Sequence, residues 1–368
     1  MIRASRSVLV ITLVVAAVGL VAATAQGTHV AGGKLSGKRL CISSPVNVDL
    51  LTQAWADMKQ AAKQSGNGLQ ISVTNANGNT SLMLSQASQM VTSGGCSAIA
   101  AVPIDGAGWN KVVAAAKAKG IPFFNHSSEV LTGVTEFYAL NQYAGGQAVG
   151  TAAGKWLAAG HPTAGVGVID NPGSAGLHAR AEGFIASIKK YAPKAKIYTA
   201  SDTVADTPTG ASTASNLMIA HPDIAVLFGY NDPTGLGAYQ AAIEAGHKDP
   251  SSFFVTSVDG TSPTITDIQK GTIYQAVASY WFRYSFPSME RDVERVLLGQ
   301  TVPKTAVITG NLVTKANAAV ALRAIANPFN PANNKEWCSA LGFTNVIVTG
   351  SEPPAPSQNG CRAAVLPG

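Results

Sequence analysis

RLCISSPVNVDLLTQAWADMKQAAK, residues 39–63, reads as a strand, a polar turn and a helix in direct succession. Arg39 to Ser43 is a short, largely apolar run that ends in serine. From Asp49 to Lys63, Leu51, Ala54, Trp55, Met58 and Ala62 recur at the three-to-four-residue spacing of a helix with one buried face. Between the two lie Ser44 and Asn47, polar groups at the point where a strand hands over to a helix.

Outward from this stretch the unit repeats. Leu69–Val73 alternates as a strand, and Leu82–Val91 follows as a helix with Thr80 or Ser81 at its start. Ser97–Val102 is a third strand, Trp109–Lys119 a helix, and Ile121–Phe124 a fourth strand. The rhythm restarts with strands at Thr135–Leu140, Val166–Ile169, Lys196–Thr199 and Ile224–Phe228. Helices at Tyr143–Ala158, Ala179–Tyr191, Thr209–Ile219 and Pro233–Ala245 separate them, and strands at Phe253–Val255 and Tyr274–Ala278 close the series. Strands alternating with helices predict an α/β chain of two Rossmann-like lobes, each a parallel sheet with helices on both faces. No Pro- or Ser-rich linker separates the halves, so several short crossings are expected between them. The tail beyond Asn327, with Pro353-Pro354-Ala355-Pro356, is expected to be irregular.

Composition narrows the classes of function. Charged residues make up 12% of the 368, against a typical ~25%. The net charge of +6 includes Arg3 and Arg6 near the start, and no Lys/Arg run exceeds Lys189-Lys190. A nucleic-acid footprint needs clustered basic residues, so none is expected. Residues 1–25 have a short basic start, an apolar run from Val8 to Ala23 and the small residues Ala23-Thr24-Ala25. They read as a signal peptide cleaved before Gln26, which implies export to the periplasm or cell exterior. The rival reading is an uncleaved anchor.

Cys41, Cys96, Cys338 and Cys361 form an even set suited to an oxidising compartment. Cys338–Cys361, closing the tail, is the favoured pair. Cys41–Cys96 is left open, on strands expected to be neighbours. No Cys/His spacing suggests a metal, and no cofactor fingerprint is present.

In open parallel sheets ligands bind beyond the carboxyl ends of the strands, and polar residues collect at those ends here. They include Ser43-Ser44 and Asn47, Asn75 and Asn77, Asp105, and Asn125-His126-Ser127-Ser128. In the second half they are Asn171 and Ser174, Asp202, Asn231-Asp232, Asp259-Gly260 and Ser279-Tyr280-Trp281. Each alone reads equally as a helix cap or turn; the whole set points to a polar cleft. Asn offers donor and acceptor, and Asp accepts from vicinal hydroxyls, which suits a small polar, sugar-like ligand.

With these residues in view the chain resembles the periplasmic sugar-binding proteins of the ribose- and galactose-binding family over about residues 38–320. The resemblance rests on Gly120-Ile121-Pro122-Phe123, Asn141-Gln142-Tyr143-Ala144-Gly145-Gly146, Arg180-Ala181-Glu182-Gly183-Phe184, Ala220-His221-Pro222-Asp223, Tyr230-Asn231-Asp232 and Ser257-Val258-Asp259-Gly260-Thr261. It implies a type I periplasmic binding protein fold with three crossings near Leu140-Asn141, Ser279-Tyr280 and Gly310-Asn311. One lobe would take residues 38–140 and 280–310, the other 141–279 and 311–326, leaving 327–368 as an extension. It also implies a monomer that delivers its ligand to the membrane permease of an ABC transporter.

The resemblance carries ligand contacts onto Asn47, Asn231 and Asp259. Asp49 and Leu50 stand where ribose binders carry a Phe pair. Ser127-Ser128 replace an Asp-Arg pair, His178 replaces a cleft Arg, and Ser279 replaces a Gln at a crossing. Trp281 is the aromatic expected to restore a stacking face. The candidate ligand set is therefore Ser43, Asn47, Asp49, Ser127, Ser128, His178, Asn231, Asp259, Ser279 and Trp281.

Three other functions compete with transport. A hydrolase would draw on His126 beside Ser127 and Ser128, yet no Gly-x-Ser-x-Gly elbow accompanies them. A repressor would need a helix-turn-helix where residues 1–37 offer an apolar segment and a Gly-rich spacer. A ligand sensor serving a chemoreceptor or membrane kinase would need the same closed lobes as a transport protein, so sequence does not separate those two.

Overall fold

The computed structural model describes residues 33–103, 106, 108–127, 129–329 and 346–349. The expected signal segment, Asp105, Ser128, Cys338 and Cys361 lie outside them. The chain opens with β1 (Arg39–Ser44), α1 (Asp49–Ser65), β2 (Gln70–Asn75), α2 (Thr80–Thr92), β3 (Ala98–Ala101), α3 (Trp109–Ala118), β4 (Phe123–Ser127) and β5 (Glu136–Asn141). A second series follows: α4 (Gln142–Gly160), β6 (Gly165–Asp170), α5 (Ala175–Tyr191), β7 (Lys196–Ser201), α6 (Thr207–Ala220), β8 (Ile224–Gly229) and α7 (Asp232–Glu244). It ends with β9 (Phe254–Asp259), α8 (Ser262–Lys270) and β10 (Tyr274–Ser279). Last come α9 (Phe282–Leu297), β11 (Thr305–Thr309), β12 (Asn311–Thr314), α10 (Ala318–Ala326) and β13 (Val346–Thr349).

Two sheets result, ordered β13-β11-β5-β4-β3-β1-β2 and β12-β10-β9-β8-β6-β7. Every pairing is parallel except β13 on β11 and β12 on β10. In each sheet the order reverses beside the first strand of its series, between β1 and β3 and between β6 and β8. Such reversals splay the following loops apart and leave a crevice at the carboxyl edge. The tail expected to be irregular contributes β13, an edge strand for the first sheet.

Strand alternation sends Leu40 and Ile42 to one face of the first sheet, against Trp55 and Met58 of α1, and Cys41 to the other, with Met83 and Trp109. Cys41 is disulfide-bonded to Cys96, just ahead of β3. The pair left open by sequence is thus formed.

From residue 39 to residue 314 the chain passes between the sheets three times, each time at a carboxyl end. β5 ends at Asn141 and continues into α4, which packs on α5. β10 ends at Ser279 and leads through Tyr280 and Trp281 to α9, which packs on α1. β11 passes through Gly310 into β12, whose Asn311 pairs with Ser279. The carboxyl edges of both sheets therefore meet at the crossings. Behind them Arg283 binds Asp57 of α1 at 2.8 Å and the Ile325 carbonyl of α10, while Tyr284 donates to the Ala324 carbonyl at 2.7 Å.

α4 and α5 pack backbone to backbone through glycines. A Cβ at Gly150 would lie 2.6 Å from the Phe184 carbonyl oxygen, and one at Gly146 or Gly183 would strike the facing backbone. This contact fixes α5, which carries His178 and Arg180, to the first crossing. Gly150→Val is expected to destabilise the chain by ~1–3 kcal/mol through overpacking, read as a lower urea midpoint.

Beside the first sheet two carboxyls, Glu136 and Glu290, are fully buried, and Glu290 has Arg291 only at 3.9 Å. Burial, and then the neighbouring Asp292, pushes Glu136 up to about 9. Burial, and then Glu294, pushes Glu290 up to about 9. Folded chains hold these protons where unfolded chains release them, from about pH 4.5 upward. Their contribution to stability is therefore full below about pH 4.5 and is lost as pH rises through 9. Unfolding midpoints are expected to fall between pH 5 and pH 9, and Glu136→Gln is expected to flatten that decline.

Candidate functional site

Along the carboxyl edge of the second sheet, each acidic side chain is engaged by a group of the protein itself. Asp170 ends β6, and its Oδ2 lies 2.8 Å from Nδ1 of His178, one turn into α5. Asp202, beyond β7, accepts from the Val204 N–H at 2.9 Å and from the Thr209 hydroxyl at 3.0 Å. Asn231 caps α7 by accepting from the Thr234 N–H at 2.9 Å, as a helix N-terminus requires. Its amide points to the Ala205 carbonyl at 3.4 Å.

Asp232 follows and is fully buried. It accepts from the Ser257 hydroxyl, from the Thr261 N–H at 2.6 Å and hydroxyl at 2.7 Å, and from the Thr264 hydroxyl at 2.9 Å. Burial, and next the charge of Asp259, raises it to about 6. This carboxylate pins the loop after β9 to the start of α7.

Asp259 ends β9 in register with Ser279 of β10. Its φ of 135° is a conformation that side-chain-bearing residues rarely adopt. Its Oδ1 accepts from Nη1 of Arg180 at 2.9 Å, and its side chain keeps 14% exposure. Burial raises its pKa and the arginine pulls it back, with the net direction upward. Arg180 is itself 3% exposed. Its Nε donates to Gln142 Oε1 at 2.6 Å, and Nη1 also donates to the Tyr230 carbonyl at 2.8 Å. The sequence reading missed this residue as a site component, although it lies within the quoted Arg180–Phe184 stretch. The signal was an arginine two residues after His178 on one helix, in a chain otherwise poor in charge.

Other expected positions fall differently. Trp281 does not offer a stacking face: it is 2% exposed, with its indole N–H donating to Asn311 at 3.2 Å. A left-handed φ of 52° at the second crossing turns the ring inward, where the buried N–H finds a partner. Ser279 is fully buried and accepts from the Trp281 N–H at 3.3 Å. Ser43 is also fully buried, its hydroxyl turned to the Met83 carbonyl of α2 at 3.5 Å. Asn47 and Asp49 are exposed beyond β1, and Asn47 accepts from the Thr52 hydroxyl at 2.9 Å. Ser127 ends β4.

His126 is fully buried, stacked 3.9 Å from Phe286, with Nε2 3.0 Å from the Ser285 hydroxyl. Burial lowers its pKa to about 3. Among the described residues, no group of three or more His, Cys, Asp or Glu could hold a metal, and no helix is long and apolar enough to cross a membrane.

Residues 42–286 match the family described as the periplasmic binding protein domain. The chain belongs to that family. Among its periplasmic binding protein relatives is the ribose import binding protein RbsB of Escherichia coli K12, 29% identical over 154 residues. That match takes in 41% of this chain, and the chain spans half the length of this curated relative.

Solved structures share the fold at lower identity. An ABC transporter solute-binding protein from Bacillus halodurans C-125, with bound myo-inositol, superposes with a TM-score of 0.70 at 18% identity, over 78% of this chain and 98% of that one. A solute-binding protein from Mycobacterium smegmatis with bound glycerol gives 0.68 at 24%, over 77% and 96%. The fructose-binding periplasmic domain of a hybrid two-component system gives 0.70 at 18%, over 83% and 99%.

Asp232→Ala would strand four donors, on Ser257 of β9, on Thr261 in the loop after it and on Thr264 of α8. It is expected to cost about 3 kcal/mol in unfolding free energy, while Asn231→Ala, which loses one cap, costs ~1 kcal/mol.

Proposed function

We propose that this protein captures a small neutral polyhydroxylated ligand, a sugar or polyol, between the carboxyl edges of its two sheets and hands it to the permease of an ABC importer. The observation that carries the reading is that every carboxylate described on the second sheet's edge is already engaged by a group of the protein. Asp170 is paired with His178, Asp259 with Arg180, and Asp202 and Asp232 with hydroxyls and backbone N–H groups. An edge whose carboxylates are already partnered has little to gain from an amine. It retains oriented acceptors and amides for hydroxyl groups, each worth ~1–3 kcal/mol when a wrong ligand leaves it unmade.

The ligands named with the similar structures, and the ribose import role of RbsB, support the same class. The contact set in this reading is Asn47, Asp49, Ser127, Ser128, His178, Asn231 and Asp259, with Ser43, Ser279 and Trp281 supporting them from within. The protein acts after export by its N-terminal signal, in the periplasm or at the cell exterior, as a monomer and without catalysis. A His126 buried among aromatics and held to a pKa of about 3 is a poor general base, which weighs against hydrolysis. A sensory role has one specific support, the likeness to the fructose-binding sensor domain. Both roles need a ligand that favours the closed lobes.

A thermal-shift screen of the mature protein against D-ribose, D-fructose, myo-inositol, glycerol and a set of amino acids tests the reading. A polyol at 100 times its dissociation constant is expected to add ~2.7 kcal/mol of stability, and Asp259→Ala is expected to weaken its binding about tenfold or more. Stabilisation by charged amino acids alone would contradict the proposal.

A further inference from the structure

We propose that Arg180 is the positioning residue of this site: its guanidinium holds the Asp259 carboxylate at the cleft and ties it to two of the three crossings between the lobes. The proposal rests on the reading of Asp259 as a ligand contact and deepens it.

The geometry is specific. One guanidinium nitrogen bridges Asp259 Oδ1 at 2.9 Å and the Tyr230 carbonyl at 2.8 Å, so the ends of β8 and β9 are held by one cation. The Nε bonds Gln142, the first residue beyond the first crossing, at 2.6 Å. The guanidinium also lies 5.3 Å from the ring centroid of Tyr280, in the second crossing. Tyr280 in turn donates to the Asn141 carbonyl at 3.0 Å and to Gln142 Oε1 at 3.2 Å. No room is left for slack around these groups: a Cβ at Gly145 would strike the Tyr280 hydroxyl, and one at Gly260 would strike Ser279.

Asp259 needs such an anchor for two reasons. Its φ of 135° is strained for a residue with a side chain, and strain of this kind persists only where surroundings over-determine it. Its carboxylate is largely buried, and a buried carboxylate stripped of its partner tends to take up a proton instead of staying charged. A planar guanidinium held through Nε by Gln142 and through Nη1 by the Tyr230 carbonyl presents its charge to Asp259 in a fixed direction, which a lysine ammonium does not. A ligand hydroxyl that meets Asp259 thereby meets a group wired to both crossings.

The other ionisable groups facing the pair are Asp232 and Tyr230 from the β8 side, Tyr274 from β10 and Tyr280 from the second crossing. Burial raises all three tyrosines above their ordinary range, so they stay neutral below pH 8. Asp232 keeps its own hydroxyl partners in every variant considered.

The test compares unfolding of the full chain at pH 7.5 and pH 4.5 for the unsubstituted protein, Arg180→Met, Asp259→Asn and the double variant. Arg180→Met is expected to lower the melting temperature by several degrees at pH 7.5. Most of that loss is expected to vanish in the Asp259→Asn background, and the loss is expected to be smaller at pH 4.5, in the direction of the neutral form that burial favours for Asp259. If Arg180→Met alone does not fold at pH 7.5, recovery of folded protein on adding Asp259→Asn is the same result. A loss equal at both pH values and in both backgrounds, or no recovery, would show that Arg180 only packs and would overturn the proposal.

Arg180→Lys supplies the binding readout. Against any polyol from the screen that binds the unsubstituted protein, it is expected to lose tenfold or more in affinity while its melting temperature stays within a few degrees. Unchanged affinity would overturn the positioning role. If no polyol binds, the functional reading fails, and the pH-linked coupling is still decided by the unfolding comparison.

Discussion

The three connections between the sheets within residues 39–314 leave from carboxyl ends, and this constraint governs what the rest of the structure can do. A parallel sheet already opens a crevice at that edge where its strand order reverses. Joining two such sheets edge to edge places both crevices beside the same three crossings. Residues that end strands therefore line a shared space, whereas residues that begin them, such as Glu136, lie on the far side. The tight glycine contact between α4 and α5 extends the constraint, since it fixes the helix carrying Arg180 and His178 to the first crossing.

At that edge each described carboxylate is engaged by a group of the chain itself. Removing a carboxylate from water costs several kcal/mol unless a well-aligned partner is supplied, and Arg180 and the hydroxyl cage of Asp232 supply such partners. The consequence is an edge whose acidic groups are already hydrogen-bonded within the protein. Ligand and lobe closure are linked in the same way as any two-state shift: only differential affinity for the closed form moves the balance.

The α/β rhythm was legible because apolar strands and one-faced helices alternate with little interruption from residue 39 to residue 278. The carboxyl-end clustering of Asn231, Asp232 and Asp259 was legible for the same reason. Other features were hidden by local chemistry. The helix at Phe282–Leu297 carries Pro287 in its second turn, where a missing N–H ordinarily marks a helix end. It also buries Glu290, Asp292 and Glu294, so its inward face reads as polar. Trp281 was misread because its direction depends on a left-handed backbone turn that no residue type announces. Arg180 was passed over because its partners come from four separate segments, whose meeting only the fold reveals. For Cys41 and Cys96, spacing alone did not decide between pairings, and the β1–β3 neighbourhood does.

Amide chemical-shift mapping on addition of each of D-ribose, D-fructose, myo-inositol and glycerol addresses the shared edge most directly. The account predicts that at least one polyol shifts amides in both lobes together, around Asn47 after β1 and around Asn231 and Asp259 after β8 and β9. Shifts confined to one lobe, or to helix faces away from the crossings, would contradict it.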